Sequence, residues 1–469
     1  MLPRLSSSYS VLFIIFLTAL AVRILIFTAL LLTLGGEIFV LGDTIGYVGM
    51  GQHLLNGFGF SATDAAGNPY LQDFRPPLYA ILAAVSLFLT GGTTLLLILQ
   101  IFCASLVPAL TYQLGREFIS HRKSLFLAAG AAIVEPLLVF FSFFLLTDIL
   151  FLFFFMLALL FAVRFLKSPS YWSAGWAGLT LGLATLVRAV GEFFAIYFVI
   201  FVIFGLLFER SKIDILKKLL FFVFVFVLVI APWIVRNVIV FNNLSVSSEG
   251  PWLLYFDLVP SLYSINYNLP FYEARKLVNK QLRMKYPKEE LMSAPHRIQP
   301  SILVRESLDL IRQQYRGLPK LFLINAMWFF THDNYAYHLD RFGVLPDRPR
   351  NFSPTFILMT EGWAGVKEIF SYLKSVYFIP LIARLFWVAI SLMTLLGVAS
   401  LWRQAKNFKD VFILVFLAGT IVYFFLLSST IGFTGEGRIR IPVMPLLFLF
   451  AAYGFWQLVD WSNLRRLKQ

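Results

Sequence analysis

The stretch VLFIIFLTALAVRILIFTALLLTL, residues 11–34, runs apolar for 24 positions, broken only by Arg23 and three threonines. A helix rises about 1.5 Å per residue, so a run of roughly twenty residues crosses the hydrocarbon core of a bilayer. In that medium every backbone N–H and C=O must be satisfied within the segment, which leaves an all-α bundle as the fold class for a chain built of such runs. They recur at 95–115, 124–142, 147–166, 172–189, 190–208, 217–239, 377–402, 410–429 and 441–460, giving about ten expected spans. Composition agrees: 59% of the 469 residues are hydrophobic and 14% charged, whereas a soluble domain carries about 25% charged residues. The run 11–34 is too long for a signal-peptide core and is read as a retained first span.

The net charge of +14 does not point to nucleic acid, because the basic residues are scattered between spans. There they act as topology signals and contacts to anionic lipids. One cysteine, Cys103, excludes a disulfide framework and a cysteine-based metal site. The segment 75–92 holds only about thirteen apolar residues, short for a crossing. If it does not cross, the clusters Arg116–Lys123, Arg164/Lys167, Arg210–Lys218, Arg403–Lys409 and Arg465–Lys468 share one side with Arg4. The positive-inside rule then places both termini in the cytoplasm and 75–92 at the outer surface. Three parts follow: an N-terminal module 1–240 with an outer loop 35–94, an outer segment 241–376, and C-terminal spans 377–469. The apolar patch 318–330 in the outer segment is expected to be a surface-lying helix.

With this topology Arg75, Arg188, Arg236, Arg438 and Arg440 all fall on the outer side, at the ends of different spans. Asp43, Asp73, Asp148 and Glu436 fall at the same depth. Ionisable groups at membrane depth are costly and tend to be functional. Arginine binds phosphate oxygens through a two-pronged, permanently charged fork. A carboxylate nearby suits a general base acting on a hydroxyl. Together they suit a reaction in which a lipid phosphate leaves while an acceptor hydroxyl attacks.

Several motifs occur in order along the chain: an Asp just past the first span, then Tyr47, Leu54, Gly57, Gly59 and Phe60, then RPPLY at 75–79. TDILFLFF (147–154), LATLVRAVG (183–191), PWIVRN (232–237) and RIRIPVMPLLFLFAAYG (438–454) follow. The set resembles the GT-C membrane glycosyltransferases, and within them the protein O-mannosyltransferase and lipid A aminoarabinose transferase superfamily. The resemblance implies a GT-C fold of about ten transmembrane helices. It also implies transfer of a sugar, with inversion, from a polyprenyl-phosphate donor to a lipid, glycan or protein acceptor of the cell envelope, on the non-cytoplasmic face of the cell membrane. Asp43 matches the family's catalytic acid of the first loop and Asp148 that of the second. Arg75 matches the basic position that contacts donor phosphate, and Arg188, Arg438 and Arg440 are expected to join it. Thr44 stands where many relatives carry a second acid, which argues against a two-carboxylate metal site, so no cofactor is assigned and a divalent cation stays open. Phe74 stands where the aminoarabinose transferases carry an acid, with Asp73 one residue away.

Other features read as structural. Thr147-Asp148 opens a helix and favours that end electrostatically. Glu135-Pro136 marks a kink near the site or the outer half of a span. Arg23 needs a partner inside the bundle. NGFGF lacks the preceding strand of a nucleotide cradle. THDNYAYH (331–338) sets His332, Asp333 and His338 beside an aromatic patch, as an interfacial loop or a metal or acceptor site. A flippase or transporter of lipid-linked glycans is the alternative from another class; it would put charges at the midplane and repeat one half of the chain. A polysaccharide polymerase or ligase would also bind lipid phosphate outside, and only the order of the motifs separates it.

Overall fold

The computed structural model describes residues 3–64, 66–209, 211–286, 300–331, 335–344, 363–372, 378–434 and 437–466. His332, Asp333 and Glu436 lie outside these residues. The chain divides into two compact units: residues 1–249, 393–421 and 442–469, and residues 250–392 with 422–441.

In the first unit α1 (Pro3–Leu34) leads into α2 (Gly42–Leu55), then a hairpin of β1 (Ser61–Thr63) and β2 (Pro69–Leu71) and α3 (Leu78–Thr90). The strands are antiparallel, with Ser61 opposite Leu71. Next come α4 (Thr94–Gly115), α5 (Arg122–Val134), α6 (Pro136–Phe140), α7 (Asp148–Lys167), α8 (Tyr171–Val187), α9 (Val190–Gly205) and α10 (Lys212–Phe241). The bundle builds pairwise: α1 on α4, α4 on α5 and α7, α7 on α8, and α8 on α10.

The second unit starts with α11 (Glu249–Leu253), α12 (Val259–Tyr267), α13 (Phe271–Lys285) and α14 (Pro300–Gln313). Ala274, Val278 and Leu282 repeat every four residues on α13, an apolar stripe on an otherwise charged helix. The stripe packs with Tyr255, Val259, Tyr263 and Leu303 in one core. Further on are α15 (Leu318–Thr331), α16 (Tyr335–Arg341), α17 (Trp363–Tyr372), α18 (Phe378–Gln404), α19 (Phe408–Thr430) and α20 (Met444–Arg466). The patch 318–330 is indeed helical, burying Leu321, Ile324 and Phe329 while Phe322 and Leu323 stay exposed. The later part of α18, the first part of α19 and the whole of α20 belong to the first unit. There Gly397 and Gly454 let α18 and α20 touch backbone to backbone, since a Cβ on Gly454 would lie 2.2 Å from the Met393 carbonyl oxygen.

Among the described residues eight helices are long and apolar enough to cross a membrane. The chain is an all-α, multi-pass membrane protein. Two of the ten expected runs are shorter than their hydropathy suggests. The run at 172–189 stops at Val187, because Arg188 is extended (φ −144°, ψ 127°). The run at 124–142 breaks at Glu135-Pro136: proline removes the helical N–H and forces its predecessor out of the α region. Glu135 is accordingly extended, and its carboxylate caps the next turn by accepting the Leu138 N–H at 2.8 Å. Residues 141–147 that follow are apolar, buried and non-helical, as irregular backbone at membrane depth must be when protein encloses it. The thirteen residues of α3 would span roughly 20 Å, short of the bilayer core.

Candidate active site

Asp43 lies in the first turn of α2, where a negative charge is favoured by the helix dipole. Thr44 fixes that turn. Its hydroxyl oxygen accepts the Leu41 N–H at 3.0 Å and its proton goes to the Leu145 carbonyl at 3.0 Å. The residue that stands where relatives carry a second acid therefore ties the start of α2 to the buried loop 141–147. Gln100 braces the same loop, donating to the Phe144 carbonyl at 2.8 Å and accepting from the Tyr79 hydroxyl.

Arg75 arrives from the other side on a tightly held loop. The Gln72 side-chain oxygen accepts the N–H groups of Phe74 (2.8 Å) and Arg75 (3.0 Å). Asp73 is buried and accepts from the Ser248 hydroxyl and the Asn243 amide, both at 2.8 Å. Arg236 donates to the carbonyls of Gln72 (2.8 Å) and Phe60 (3.3 Å) and lies over the Trp233 ring. Asp73 and Arg236, two of the unusual outer charges, thus hold the backbone around Arg75.

The Arg75 guanidinium reaches Asp43 at 3.3 Å and covers the Tyr47 ring at 4.1 Å. Residues 43, 46 and 47 share one face of α2 through the i, i+3, i+4 spacing. Gly46 makes the seat, since a Cβ there would lie 3.0 Å from the Arg75 nitrogens. Burial disfavours the charge on Arg75, but Tyr47, Asp43 and Glu249 together outweigh it and hold its pKa above the ordinary value. The cation is permanent.

A second acid–arginine pair stands at the start of α7. Asp148 is buried and ion-paired to Arg188, the residue that ends α8. Tyr79, whose ring meets that of Tyr47 edge-on at 5.2 Å, is near enough to feel the Asp148 charge. Elsewhere in the bundle Arg23 is 1% exposed and donates to the carbonyls of Ala19 at 3.2 Å and of Ala132 on α5 at 3.5 Å. The Ala132 carbonyl is the partner inside the bundle that its mid-span position calls for.

Arg438 and Arg440 belong to the second unit. Arg440 is fully buried, stacked 3.5 Å over Trp387 and donating to the Phe329 carbonyl at 2.6 Å. Arg438 is half-buried near His338. Burial, then the charges of Arg341 and Arg438, push His338 down to about 4, so it is neutral near pH 7. Among the described residues no group of three His, Cys, Asp or Glu side chains could hold a metal ion. The residue types and motifs point to Asp43, Asp148, Arg75 and Arg188, which the structure joins as two ion pairs, but not to the parts played by Thr44, Gly46 and Gln72. Gly46 was within reach through its helical spacing to Asp43; nothing in the sequence marks Gln72.

Residues 74–235, about a third of the chain, match the family described as dolichyl-phosphate-mannose-protein mannosyltransferase. This match bears out the GT-C resemblance read from the motifs and includes Arg75, Asp148 and Arg188. No curated protein matches the sequence. Among solved structures, that of ArnT from Cupriavidus metallidurans bound to undecaprenyl phosphate is similar at 12% identity and a TM-score of 0.38, covering 96% of this chain and 76% of that one. The same protein in the apo state is similar at 13% identity and a TM-score of 0.35, covering 92% and 76%.

Proposed function

We propose that this multi-pass membrane protein, about a third of which matches a mannosyltransferase family, is a GT-C glycosyltransferase that transfers a sugar from a polyprenyl-phosphate carrier to an acceptor hydroxyl on the non-cytoplasmic face of the membrane. The observation that carries this reading is the contact between Asp43, 46% exposed, and Arg75 at the start of α2. Arg75 and Arg188 bind the donor phosphate. A phosphate on the Arg75 fork competes with Asp43 for it, and its negative charge strengthens the carboxylate as a base. The acceptor oxygen then attacks the anomeric carbon from the face opposite the phosphate as Asp43 takes the hydroxyl proton. The carbon–oxygen bond to phosphate breaks, its electron pair leaves with the phosphate, and the anomeric centre inverts. Arg75 and Arg188 stabilise the charge that grows on the leaving group. Asp148 acts through Arg188, holding the guanidinium in place.

Two measurements test this. Purified protein should release free polyprenyl phosphate and glycosylate an acceptor when given a polyprenyl-phosphate sugar, and should be inert with a nucleotide sugar; the reverse pattern refutes the donor class. Cysteine at exposed Asn68 should label with an impermeant thiol reagent on intact cells while cysteine at exposed Ser168 stays protected. The opposite result would move the site to the cytoplasmic face.

A further inference from the structure

The first unit carries a second polar site at the end of the bundle away from Asp43. Gln100, near the start of α4, serves the Asp43 end. The fifteen residues from Gln100 to Gly115 then carry α4 roughly 22 Å further along the bundle. Just beyond, Glu117 pairs with Arg164 and Lys167 at the close of α7, both at 3.0 Å. Between the ends of α1 and α4 and the start of α5 lies a cavity of about 380 Å³, lined by Val11, Tyr112, Arg116, Ser120, Arg122 and Leu125 with Ile119. Its chemistry is two-sided. Arg116, Ser120 and Arg122 are exposed and offer two guanidinium forks and a hydroxyl, while half-buried Val11, backed by the buried Ile119 and Leu125, makes the apolar side.

The local charge is lopsided. His121 and Lys123 stand in the same short stretch, and its one acid, Glu117, is engaged by Arg164 and Lys167. The two arginines are the cations that line the cavity, Arg122 with its guanidinium also 5.6 Å from the Phe126 ring centroid, whereas His121 is turned to Ser124 and Lys123 lies over Trp456. Arg116 also reaches the Gln113 side-chain oxygen, at 3.4 Å. Guanidinium forks bind phosphate in two-pronged fashion, and apolar walls beside them suit the glycerol and first methylenes of a lipid better than a free ion. The geometry points to this cavity as a binding site for the head of an anionic phospholipid, separate from the transfer site.

Native mass spectrometry of the purified protein tests the site with phosphatidylglycerol, phosphatidylcholine and inorganic phosphate as probes. Phosphatidylglycerol should bind in preference to phosphatidylcholine. The double variant Arg116→Gln/Arg122→Gln should weaken it by roughly tenfold or more, as expected from losing charge-assisted contacts. Arg116→Lys/Arg122→Lys should retain part of the affinity, which also guards against a folding defect in the glutamine variant. Lys212→Gln/Lys217→Gln removes the same charge from exposed positions elsewhere and should change little. Equal binding of the two lipids, an equal loss in the lysine control, or displacement of phosphatidylglycerol by equimolar inorganic phosphate would each overturn the assignment.

Discussion

The first unit contains two Asp–Arg pairs that differ in which partner meets solvent. In the Asp43–Arg75 pair the acid is 46% exposed and the arginine 20%. In the Asp148–Arg188 pair the acid is 2% exposed and the arginine 33%. At the first site the carboxylate is the more open partner and the fork beside it is still one-fifth exposed; at the second the cation is open and the carboxylate is buried. Only an accessible carboxylate can take a proton from a bound hydroxyl, and only an accessible fork can hold a phosphate. Burial thereby separates the two acids, leaving Asp43 open to act as the base and Asp148 as an anchor, while both forks keep enough exposure to meet a phosphate.

The largest effect should separate the two acids. Asp43→Asn keeps the shape and removes the base, so turnover should fall by the roughly 10²–10⁴ expected for lost general-base catalysis. Thermal stability of the purified protein should hold, because the carboxylate is half in solvent. Near-wild-type turnover in this variant would assign the base elsewhere. Next in size is the mirror experiment on the second pair. Arg188→Gln strands the buried Asp148 carboxylate, and breaking a buried pair from one side costs about 3–5 kcal/mol, here toward the low end because Arg188 is one-third exposed. A clear drop in melting temperature should result. Arg188→Gln/Asp148→Asn should recover most of it, since no charge is then left buried. If the single variant melts like wild type, Asp148 is not the buried anchor its surroundings indicate.

What the sequence revealed of these pairs follows the physics that sets them. The run of spans was legible because a bilayer imposes length and apolarity on each helix. The outer charges were legible because a charge at that depth is conspicuous. The break at Glu135-Pro136 was visible as an alternative, yet the buried coil at 141–147 was not, because FSFFLLT has the hydropathy of a span and its enclosure is a tertiary fact. Thr44 was noted for the acid it replaces, whereas its work is a bond to a carbonyl 101 residues away. Pairing hid in the same way: Asp73 and Arg236 carry the same charges as Asp43 and Arg75 but spend them on backbone and amide partners.

Arg75 should show a smaller effect than either experiment above. A charge-assisted contact to phosphate is worth about 1.5–3 kcal/mol, so Arg75→Gln should lower kcat/KM for the lipid donor by roughly 10- to 100-fold. Arg75→Lys should recover only part, because it keeps the charge but loses the fork and the stacking on Tyr47. Stability should change little, in contrast with Arg188→Gln. Equal donor use by all three proteins would leave Arg75 as a surface cation without a phosphate role.

The smallest expected effect is the most discriminating, because its two readouts should move in opposite directions. Gly46 sits inside α2, so Gly46→Ala should stabilise the helix by up to about 1 kcal/mol from propensity alone. The added methyl would meet the Arg75 guanidinium at 3.0 Å, tighter than ordinary contact, and the fork must shift by a few tenths of an ångström. A displaced fork loses alignment with the phosphate and with Asp43, so donor use should fall about fivefold, equivalent to roughly 1 kcal/mol. The melting temperature should hold or rise at the same time. In the Arg75→Gln background the alanine should add almost nothing, since a coupled pair is non-additive. If Gly46→Ala lowers donor use equally with and without Arg75, the glycine serves the helix and not the seat of the guanidinium.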